Sequence, residues 1–472
     1  MKKFLKDIKA DFSEWFTDVI LKAELADYTP VKGCMVIRPY GYAIWENIQT
    51  FLDKLIKEKG VKNAYFPLFV PMHYLQKEKE HVKGFSPQLA VVTIGGGEEL
   101  TEKLAIRPTS ETIMYDMFKK WYGSWRDLPV LINQWCNIVR WEKRTYLFLR
   151  TSEFLWQEGH CAHLTQKESM EMVLWALSAY EKTYNELLAM YGICGVKSDS
   201  EKFAGAGKTY SIECLMPNGK ALQAGTSHDL GQNFSKSFDW TMQDKEGKKI
   251  FPWQNSWGLS TRSIGGLIMT HGDQNGLVLP PLVAPTQLVI IPIPGQDKAK
   301  ILATKIFNNL KSKYRAEIDS IDSETAGFKF NKWELKGIPL RIEIGNKEAE
   351  SNMVTIYRRD NSEKLEIKVD KLSPTINNLL SEIQKNLFEK HKQFTISNTF
   401  TVDSYEEFKK IMSTTRGFIS AHWCENSQCE DKIKSDTKAT TRCLPLNSKE
   451  ESGKCVYCGN PSKYRWLFAQ SY

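Results

Sequence analysis

The middle of this chain is dominated by short apolar segments that follow one another directly and are separated by polar, glycine-containing loops. Five of them have the length and the β-branched and aromatic content typical of strands, and they span 129–138, 148–157, 209–215, 220–226 and 254–259. A long helical segment at 168–190 interrupts the series, and a shorter one follows at 263–271. Strands that adjoin in sequence favour antiparallel pairing. The sequence therefore predicts an α+β fold with an antiparallel sheet flanked by helices.

The pattern changes after Pro285, where apolar strands and amphipathic helices begin to alternate. Such alternation is typical of a compact α/β domain. The chain from residue 398 onward is shorter and contains five of the 10 cysteines. We therefore predict three domains, at 1–284, 285–397 and 398–472, the last a small α/β domain.

The cysteines near the C-terminus form two close pairs. Cys424 and Cys429 are separated by four residues, and Cys455 and Cys458 by two. Two pairs of thiolates on separate turns suit tetrahedral zinc, and four protein ligands leave no position for water, so the metal would be structural. Chance clustering of buried thiols is the alternative. Cys443 is left over, and His422 is a lesser candidate ligand.

The segment 274–296 contains no charged residue and is long enough to span a bilayer. It also contains five prolines, which would break a helix repeatedly, so we interpret it as a loop that leads into a buried strand. The N-terminus has no apolar signal segment. We expect a cytoplasmic protein that does not enter a membrane. The net charge of +8 suits a polyanionic partner, but lysine-rich solubility explains it as well.

Three polar groups along the chain could bind a charged substrate. Arg140 and Glu142 end a predicted strand two residues apart, residues 256–262 place small side chains before Arg262 at a helix start, and residues 107–111 read Arg-Pro-Thr-Ser-Glu. For the first group the alternative is a strand with a structural salt bridge, and for the third it is an ordinary helix N-cap. The second group is a weak motif when it is taken alone. Neither a G-x-x-x-x-G-K-[ST] loop nor a G-x-G-x-x-G turn in a βαβ unit is present, which excludes P-loop and Rossmann nucleotide sites.

Taken together, these groups resemble a known family. Pro39, the Arg140/Glu142 segment and the Gly258–Arg262 turn are similar to motifs 1, 2 and 3 of class II aminoacyl-tRNA synthetases. The strings at 107–111, 133–142, 154–160 and 225–228 resemble the prolyl-tRNA synthetase family, and the similarity runs from about residue 10 to Tyr472.

The resemblance implies the archaeal and eukaryotic-like architecture: a class II catalytic domain, an α/β anticodon-binding domain and a C-terminal zinc-binding domain. Family members are homodimers, with motif 1 near the subunit interface. Only about 60 residues separate His163 from Thr226, fewer than an ordinary domain requires, so no editing insertion is expected.

The resemblance also implies roles for individual residues. Arg140 and Arg262 would be catalytic. The residues expected to bind proline are Thr109, Glu111, Arg140, Phe154, Trp156, His160, Thr226 and His228. Those expected to bind ATP, together with Mg²⁺, are Arg140, Glu142, Arg150, Gln223, Thr226, Thr261 and Arg262. Structural Zn²⁺ would be bound by Cys424, Cys429, Cys455 and Cys458.

The implied activity is the ligation of proline to tRNA(Pro) through prolyl-adenylate, with tRNA rather than DNA as the nucleic acid. A tRNA-binding paralogue without catalysis is the alternative, and a threonyl or seryl ligase fits the apolar wall of Phe154 and Trp156 less well. In the second domain, Arg341, Glu343, Arg358 and Arg359 could contact RNA, although an ordinary sheet surface is equally compatible.

Overall fold

The computed structural model describes residues 5–75 and 89–472. Up to residue 271 the strands are β1 (Ala26–Tyr28), β2 (Met35–Ile37), β3 (Lys62–Asn63), β4 (Phe69–Pro71), β5 (Val91–Gly95), β6 (Glu98–Ile106), β7 (Val130–Val139), β8 (Glu153–His163), β9 (Gly192–Val196), β10 (Lys208–Leu215), β11 (Ala221–Gly231), β12 (Met242–Gln243), β13 (Lys249–Ile250) and β14 (Trp253–Ser260). The α-helices of this part are Phe12–Lys22, Pro39–Glu58, Glu111–Trp121, Gln166–Lys182, Asn233–Ser237 and Arg262–His271.

The centre of this part is an antiparallel sheet in the order β9-β10-β11-β14-β8-β7, with β3 added in parallel at one edge. Helix Gln166–Lys182 buries an apolar face that includes Met172, Ala176 and Tyr180 in the main core. The predicted antiparallel sheet with flanking helices is confirmed. The helix predicted over 168–190 is shorter, because it ends in a π-helical turn at Thr183–Leu187 and β9 begins at Gly192.

The second α/β unit follows Pro285. Its elements are β15 (Leu288–Pro292), helix Asp297–Leu310, β16 (Ala316–Ile318), helix Ala326–Leu335, β17 (Leu340–Ile344), helix Asn346–Ser351, β18 (Met353–Arg358), β19 (Lys364–Lys368) and helix Leu372–Ser397. The sheet order is β16-β15-β17-β18-β19, with parallel pairs among the first three strands and antiparallel pairs among the last three. It is therefore a mixed sheet rather than a wholly parallel one.

The C-terminal part contains β20 (Thr399–Thr401), helix Tyr405–Ser413, β21 (Phe418–His422), helix Ser427–Thr437, β22 (Ala439–Pro445), β23 (Gly453–Lys454), β24 (Pro461–Ser462) and β25 (Arg465–Gln470). Strands β23 and β24 form a small two-stranded sheet of their own, but the other four join the central sheet. Leu444 and Pro445 at the end of β22 pair with Val196 and Gly195 of β9. The central sheet therefore continues through β22, β25, β21 and β20, for eleven strands in the described chain.

A search of the described residues for a helix long and apolar enough to cross a membrane found none. The uncharged segment that follows Gln274 leads into the buried strand β15, as the sequence predicts.

Candidate active site

A cavity of about 210 Å³ opens over the central sheet. It is lined from β8, β11 and β14, from the loop before helix Glu111–Trp121 and from the loop between β9 and β10. Ten of the residues singled out from the sequence line it, and they are Thr109, Glu111, Arg140, Phe154, Trp156, His160, Gln223, Thr226, His228 and Arg262.

Strand register explains how residues far apart in sequence meet here. In β14, Gly258 pairs with Glu158 of β8 on one side and with Thr226 of β11 on the other. One step along, Ser256 pairs with His160 and His228 in the same way. Neighbouring strands lie about 4.8 Å apart, and β14 lies between β8 and β11. The two functional residues that pair with one small residue of β14 are therefore about 10 Å apart. The small residues of β14 thus form the floor of the cavity.

Glu158 is the acidic centre of the floor, and the sequence analysis missed it. Its side chain accepts hydrogen bonds from Ser110 Oγ at 2.5 Å and Gln134 Nε2 at 2.9 Å, and its Oε2 lies 2.9 Å from His160 Nε2. The alternation that puts Phe154, Trp156 and His160 on one face of β8 puts Glu158 there too. That alternation was the available signal.

Burial and charge act against each other in this pair. Burial would raise the pKa of Glu158, but the hydrogen bond and charge of His160, with Ser110 and Gln134, hold it below its ordinary value. Burial would lower the pKa of His160, but Glu158 and Glu111 raise it. The arrangement favours an ion pair of carboxylate and imidazolium.

Thr109 lies on the loop before helix Glu111–Trp121, and Glu111 is the first residue of that helix. Both are buried, and Thr109 Oγ1 donates a hydrogen bond to Glu111. Arg107 holds this loop against the sheet, since its Nε donates to Asn137 O at 2.9 Å. Ser110 occupies the N-cap position without capping the helix, because its hydroxyl bonds Glu158. The loop therefore serves the cavity rather than the helix end.

Arg140 and Arg262 bring positive charge to the same cavity. In each guanidinium only Nε donates a hydrogen bond to the described chain. Arg140 Nε donates to Pro108 O and Arg262 Nε donates to Leu149 O, both at 3.1 Å. The Arg140 guanidinium also lies over the rings of Phe154 and Trp156, at 5.7 and 5.6 Å. No carboxylate of the described chain is within 4.0 Å of either guanidinium. Burial lowers the pKa of both arginines, and for Arg262 the charge of Arg140 lowers it further.

Glu142, Arg150 and Thr261 are not among the residues that line the cavity. Strand β7 ends at Val139, so Arg140 and Glu142 lie in a loop, and the prediction that they share a strand face is wrong. Glu142 instead binds Arg150 at 2.7 Å near the surface. Thr261 is fully buried at the start of helix Arg262–His271, with its hydroxyl unpartnered.

His228 faces His160 across Ser256 and is held differently. Its Nδ1 lies 2.9 Å from Thr209 Oγ1, and its ring is 4.6 Å from that of Phe203. Burial, with the charges of His160 and Arg140, lowers its pKa to about 3. His228 is therefore neutral at physiological pH. Phe203 and Glu201 line the cavity from the loop between β9 and β10, and neither residue was predicted from the sequence.

The four cysteines of the C-terminal pairs come together as the spacing predicts. All four sulfur atoms lie within 4.8 Å of one another, and Cys424 Sγ is 3.7 Å from those of Cys429 and Cys458. Tetrahedral sulfur ligands at about 2.3 Å from one zinc ion would be about 3.8 Å apart, so the set fits the metal. His422 and Cys443 are not members of the cluster.

The arginines of the second domain are not exposed for RNA. Arg341 lies between the rings of Phe330 and Tyr357 and binds Glu343 at 2.7 Å. Arg358 and Arg359 are buried too, and they bind Asp360 and Asp273 at 3.0 and 2.6 Å. Each guanidinium is already paired with a carboxylate within the chain, which favours a structural role, and contact with RNA stays an untested prediction.

Comparison with known families first defines the class. Residues 93–271 match the tRNA synthetase class II core domain (G, H, P, S and T), residues 287–379 match an anticodon binding domain, and residues 405–472 match the C-terminal domain of prolyl-tRNA synthetase. The antiparallel sheet and its cavity thus belong to a class II aminoacyl-tRNA synthetase.

Relatives over the whole length define the family. The chain is 50% identical over 475 residues to a proline–tRNA ligase of Alkaliphilus oremlandii, covering 100% of this chain and 99% of the relative, and 51% identical over 477 residues to proline–tRNA ligase 2 of Clostridioides difficile, with the same coverage. A crystal structure of prolyl-tRNA synthetase from Cryptosporidium parvum with halofuginone and AMPPNP superposes with a TM-score of 0.96 at 44% identity, covering 100% of both chains. The same enzyme with L-proline and AMP gives 0.94 at 43% identity, covering 99% of this chain and 97% of the other. The chain belongs to the prolyl-tRNA synthetase family.

Proposed function

We propose that this chain is a proline–tRNA ligase that activates proline with ATP and transfers it to the 3′ end of tRNA(Pro). The observation that carries the proposal is the pairing of opposite charges in one small cavity. Two partly buried arginines that have no carboxylate partner within the described chain, Arg140 and Arg262, share it with the buried carboxylates Glu111 and Glu158. Such a site suits a substrate with an ammonium group at one end and anionic groups at the other.

Proline would lie between these groups. Glu111, with Thr109, would accept hydrogen bonds from the secondary ammonium, and Phe154 and Trp156 would cover the ring. His160, oriented by Glu158, and His228 would close the pocket on the sheet side, with Thr226 beside them. Support comes from the two aromatic rings, which meet edge to face at 6.2 Å above the same row of β8 side chains.

ATP would occupy the side of Arg140 and Arg262. Gln223 and Thr226 of β11 would contact the nucleotide, Thr261 would offer its unpartnered hydroxyl, and Glu142 and Arg150 would meet it at the cavity rim. Magnesium ions bind nucleotide phosphates with most of their ligands from phosphate and water, and would add positive charge there.

The chemistry then follows from position and charge. The proline carboxylate attacks the α-phosphorus and pyrophosphate leaves, giving prolyl-adenylate; the terminal ribose hydroxyl of tRNA next attacks the prolyl carbonyl and AMP leaves. Arg140 reaches both the carboxylate and the α-phosphate and stabilises charge that develops between them. No covalent bond to the protein is required.

The other parts of the chain support the same activity. The anticodon binding domain at 287–379 would recognise the tRNA, and the predicted boundaries 1–284, 285–397 and 398–472 would separate catalysis, tRNA recognition and a structural zinc site. We also propose a cytoplasmic homodimer that contains no editing insertion. The segment between His163 and Thr226 supports this last point, because it is used by helix Gln166–Lys182 and by β9 and β10 of the central sheet.

The test is proline-dependent ATP–pyrophosphate exchange and aminoacylation of tRNA(Pro) with Arg140→Ala. Removing a charge-stabilising donor costs roughly 100-fold or more in rate, so we expect exchange to fall at least that far. The matched control is Arg126→Ala, an exposed arginine outside the cavity, which should keep the parental rate. Full exchange by Arg140→Ala would contradict the proposed site.

A further inference from the structure

The loop that carries Glu201 and Phe203 into the cavity is attached to the C-terminal domain. It connects the end of β9 at Val196 to the start of β10 at Lys208. Near its start, Ser198 Oγ donates to Glu430 Oε1 at 3.0 Å, and Ser200 Oγ donates to Glu430 Oε2. Glu430 lies on helix Ser427–Thr437, more than 200 residues further along the chain.

Glu430 is bound in an unusual way. It is buried, with 4% of its surface exposed, yet no Lys, Arg or His of the described chain lies within 4.0 Å of its carboxylate. Its hydrogen bonds come from hydroxyls, namely those of Ser198, Ser200 and Thr441. A buried carboxylate is costly unless it is fully hydrogen-bonded, so losing any of these donors would leave charge unsatisfied. The hydroxyls of the loop are therefore held firmly.

A second buried cluster fixes the same point of the loop. Glu213 of β10 is fully buried between Lys197, at 3.0 Å, and Arg442 of the C-terminal domain, at 2.7 Å. Lys197 is the residue immediately before Ser198. The start of the loop is thus fixed by β10 and the C-terminal domain together.

The loop reaches the cavity a few residues later. Phe203 stacks against His228, and its backbone N–H donates to Thr209 Oγ1 at 2.9 Å, the same hydroxyl that lies next to His228 Nδ1. The displacement of Ser198 and Ser200 would therefore move the aromatic ring that covers the proposed proline side of the cavity.

We propose that Glu430 is a positioning residue for the amino acid pocket: through Ser198 and Ser200 it holds the loop 198–207 so that Phe203 and Glu201 face the substrate. This inference rests on the proposed function for its substrate. It also gives the cysteine cluster a role, because Cys429 precedes Glu430 at the start of the same helix, and a metal on the cysteines would fix that helix end.

The experiment compares Glu430→Gln with the parent in ATP–pyrophosphate exchange, with proline and ATP varied separately. The amide of Gln accepts hydrogen bonds from Ser198 and Ser200 more weakly than the carboxylate does, so the KM for proline should rise roughly 3- to 10-fold. The KM for ATP should change less than about twofold, because the loop contacts the amino acid side. Glu450→Gln, an exposed glutamate of the same domain that pairs with Lys463, is the matched control and should leave both values unchanged.

Hydrogen–deuterium exchange of peptides covering 199–207 is the second readout and does not depend on activity. We expect faster exchange in Glu430→Gln than in the parent or Glu450→Gln, at equal zinc content. If Glu430→Gln loses zinc, the double variant Ser198→Ala/Ser200→Ala, which changes nothing in the C-terminal domain, takes the same test. An unchanged KM for proline together with unchanged loop exchange would overturn the proposal. A parent chain without proline-dependent exchange would instead contradict the proposed function, and the deuterium readout would still decide whether Glu430 anchors the loop.

Discussion

The buried pair of Glu158 and His160 makes the stability of the protein depend on pH. His160 has a pKa raised above 6.5, so its contribution to stability is complete below that value and is lost as the pH rises through the raised pKa. Glu158 has a pKa lowered below 4.5, so its contribution is complete above 4.5 and is lost as the pH falls through the lowered pKa. The pair is therefore strongest between these two ordinary values.

We expect the melting temperature of the parent to exceed that of His160→Gln by the widest margin between pH 4.5 and 6.5. The margin should narrow as the pH rises above 6.5, and thermal unfolding of both proteins from pH 4 to 9 measures it. His73→Gln is the control: His73 is half-exposed and paired with Glu102, and exposed pairs contribute little. A margin that widens as the pH rises above 6.5 would contradict the assigned ion pair.

For individual residues, the sequence predicts which side chains line the cavity better than it predicts the hydrogen-bond partners of those side chains. The resemblance to the prolyl-tRNA synthetase family implied that Phe154, Trp156 and His160 line the pocket, and all three line the cavity. Glu158 was missed because a buried carboxylate is recognised by its partners, and Ser110 and Gln134 come from other elements. Arg140 and Glu142 were paired wrongly because the strand ends at Val139, before both residues, so alternation does not apply to them.

Among the elements, strands β8 and β14 pack so closely that β8 requires a glycine opposite Trp257 of β14. Gly159 pairs with Trp257, and a Cβ at Gly159 would lie 2.1 Å from the indole ring. We expect Gly159→Ala to destabilise the protein by at least about 1–3 kcal/mol, the usual cost of overpacking, and to distort the cavity floor. Thermal unfolding and proline-dependent exchange measure both effects.

Gly123→Ala is the matched control, since a Cβ there meets no atom within 4 Å. It should unfold like the parent. Equal melting temperatures for Gly159→Ala and Gly123→Ala would contradict the prediction that Trp257 leaves no room for a side chain at position 159.

The cysteine cluster gives an element whose stability depends on metal. We expect about one zinc ion per chain, and Cys424→Ser should lower both the zinc content and the melting temperature, because four thiolates hold a structural site. Metal analysis of the purified protein is the measurement. Cys34→Ser, outside the cluster, is the control and should keep its zinc. A parent chain with far less than one zinc would contradict the assignment.

Element boundaries show where local sequence information ends. The strand predicted from residue 148 begins at Glu153 instead, because Phe148 adopts a left-handed conformation with φ of 59° that no regular strand allows. The cysteine spacing, by contrast, predicted its cluster correctly, since the two ligands of each pair are only a few residues apart in sequence. Features set within a few residues were predictable, and features set by a distant partner were not.

For the whole molecule, the continuous sheet is the feature that the sequence did not indicate. Pairing of β22 with β9 joins residues about 250 positions apart. Strand β22 belongs to the small C-terminal domain, which the sequence predicted as a separate unit. The buried charges of Glu213, Lys197 and Arg442 lie at this junction. Only tertiary contact defines such pairing, so neither periodicity nor composition could predict it.

The exposed apolar side chains around the first hairpin support the proposed homodimer. Tyr28, Val31, Val36 and Tyr42 are each at least 41% exposed, and they adjoin Pro39, the residue that resembles motif 1. Apolar groups exposed together commonly mark an interface. We expect light scattering to give about twice the chain mass of 54.3 kDa.

A Tyr28→Glu/Val36→Glu double variant should shift the mass toward a single chain. Ile301→Glu, an exposed apolar residue of the second domain, is the control and should remain dimeric. A parent chain that is monomeric at micromolar concentration would contradict the proposed assembly.

The most direct measurement is ATP–pyrophosphate exchange with each of the twenty amino acids in turn, without tRNA. We expect strong exchange with proline and weak exchange with alanine or cysteine, because a pocket that discriminates by size gains only about 1–3 kcal/mol per methylene. A folded, zinc-containing sample that shows no exchange with any amino acid would contradict it and favour a tRNA-binding paralogue without catalysis.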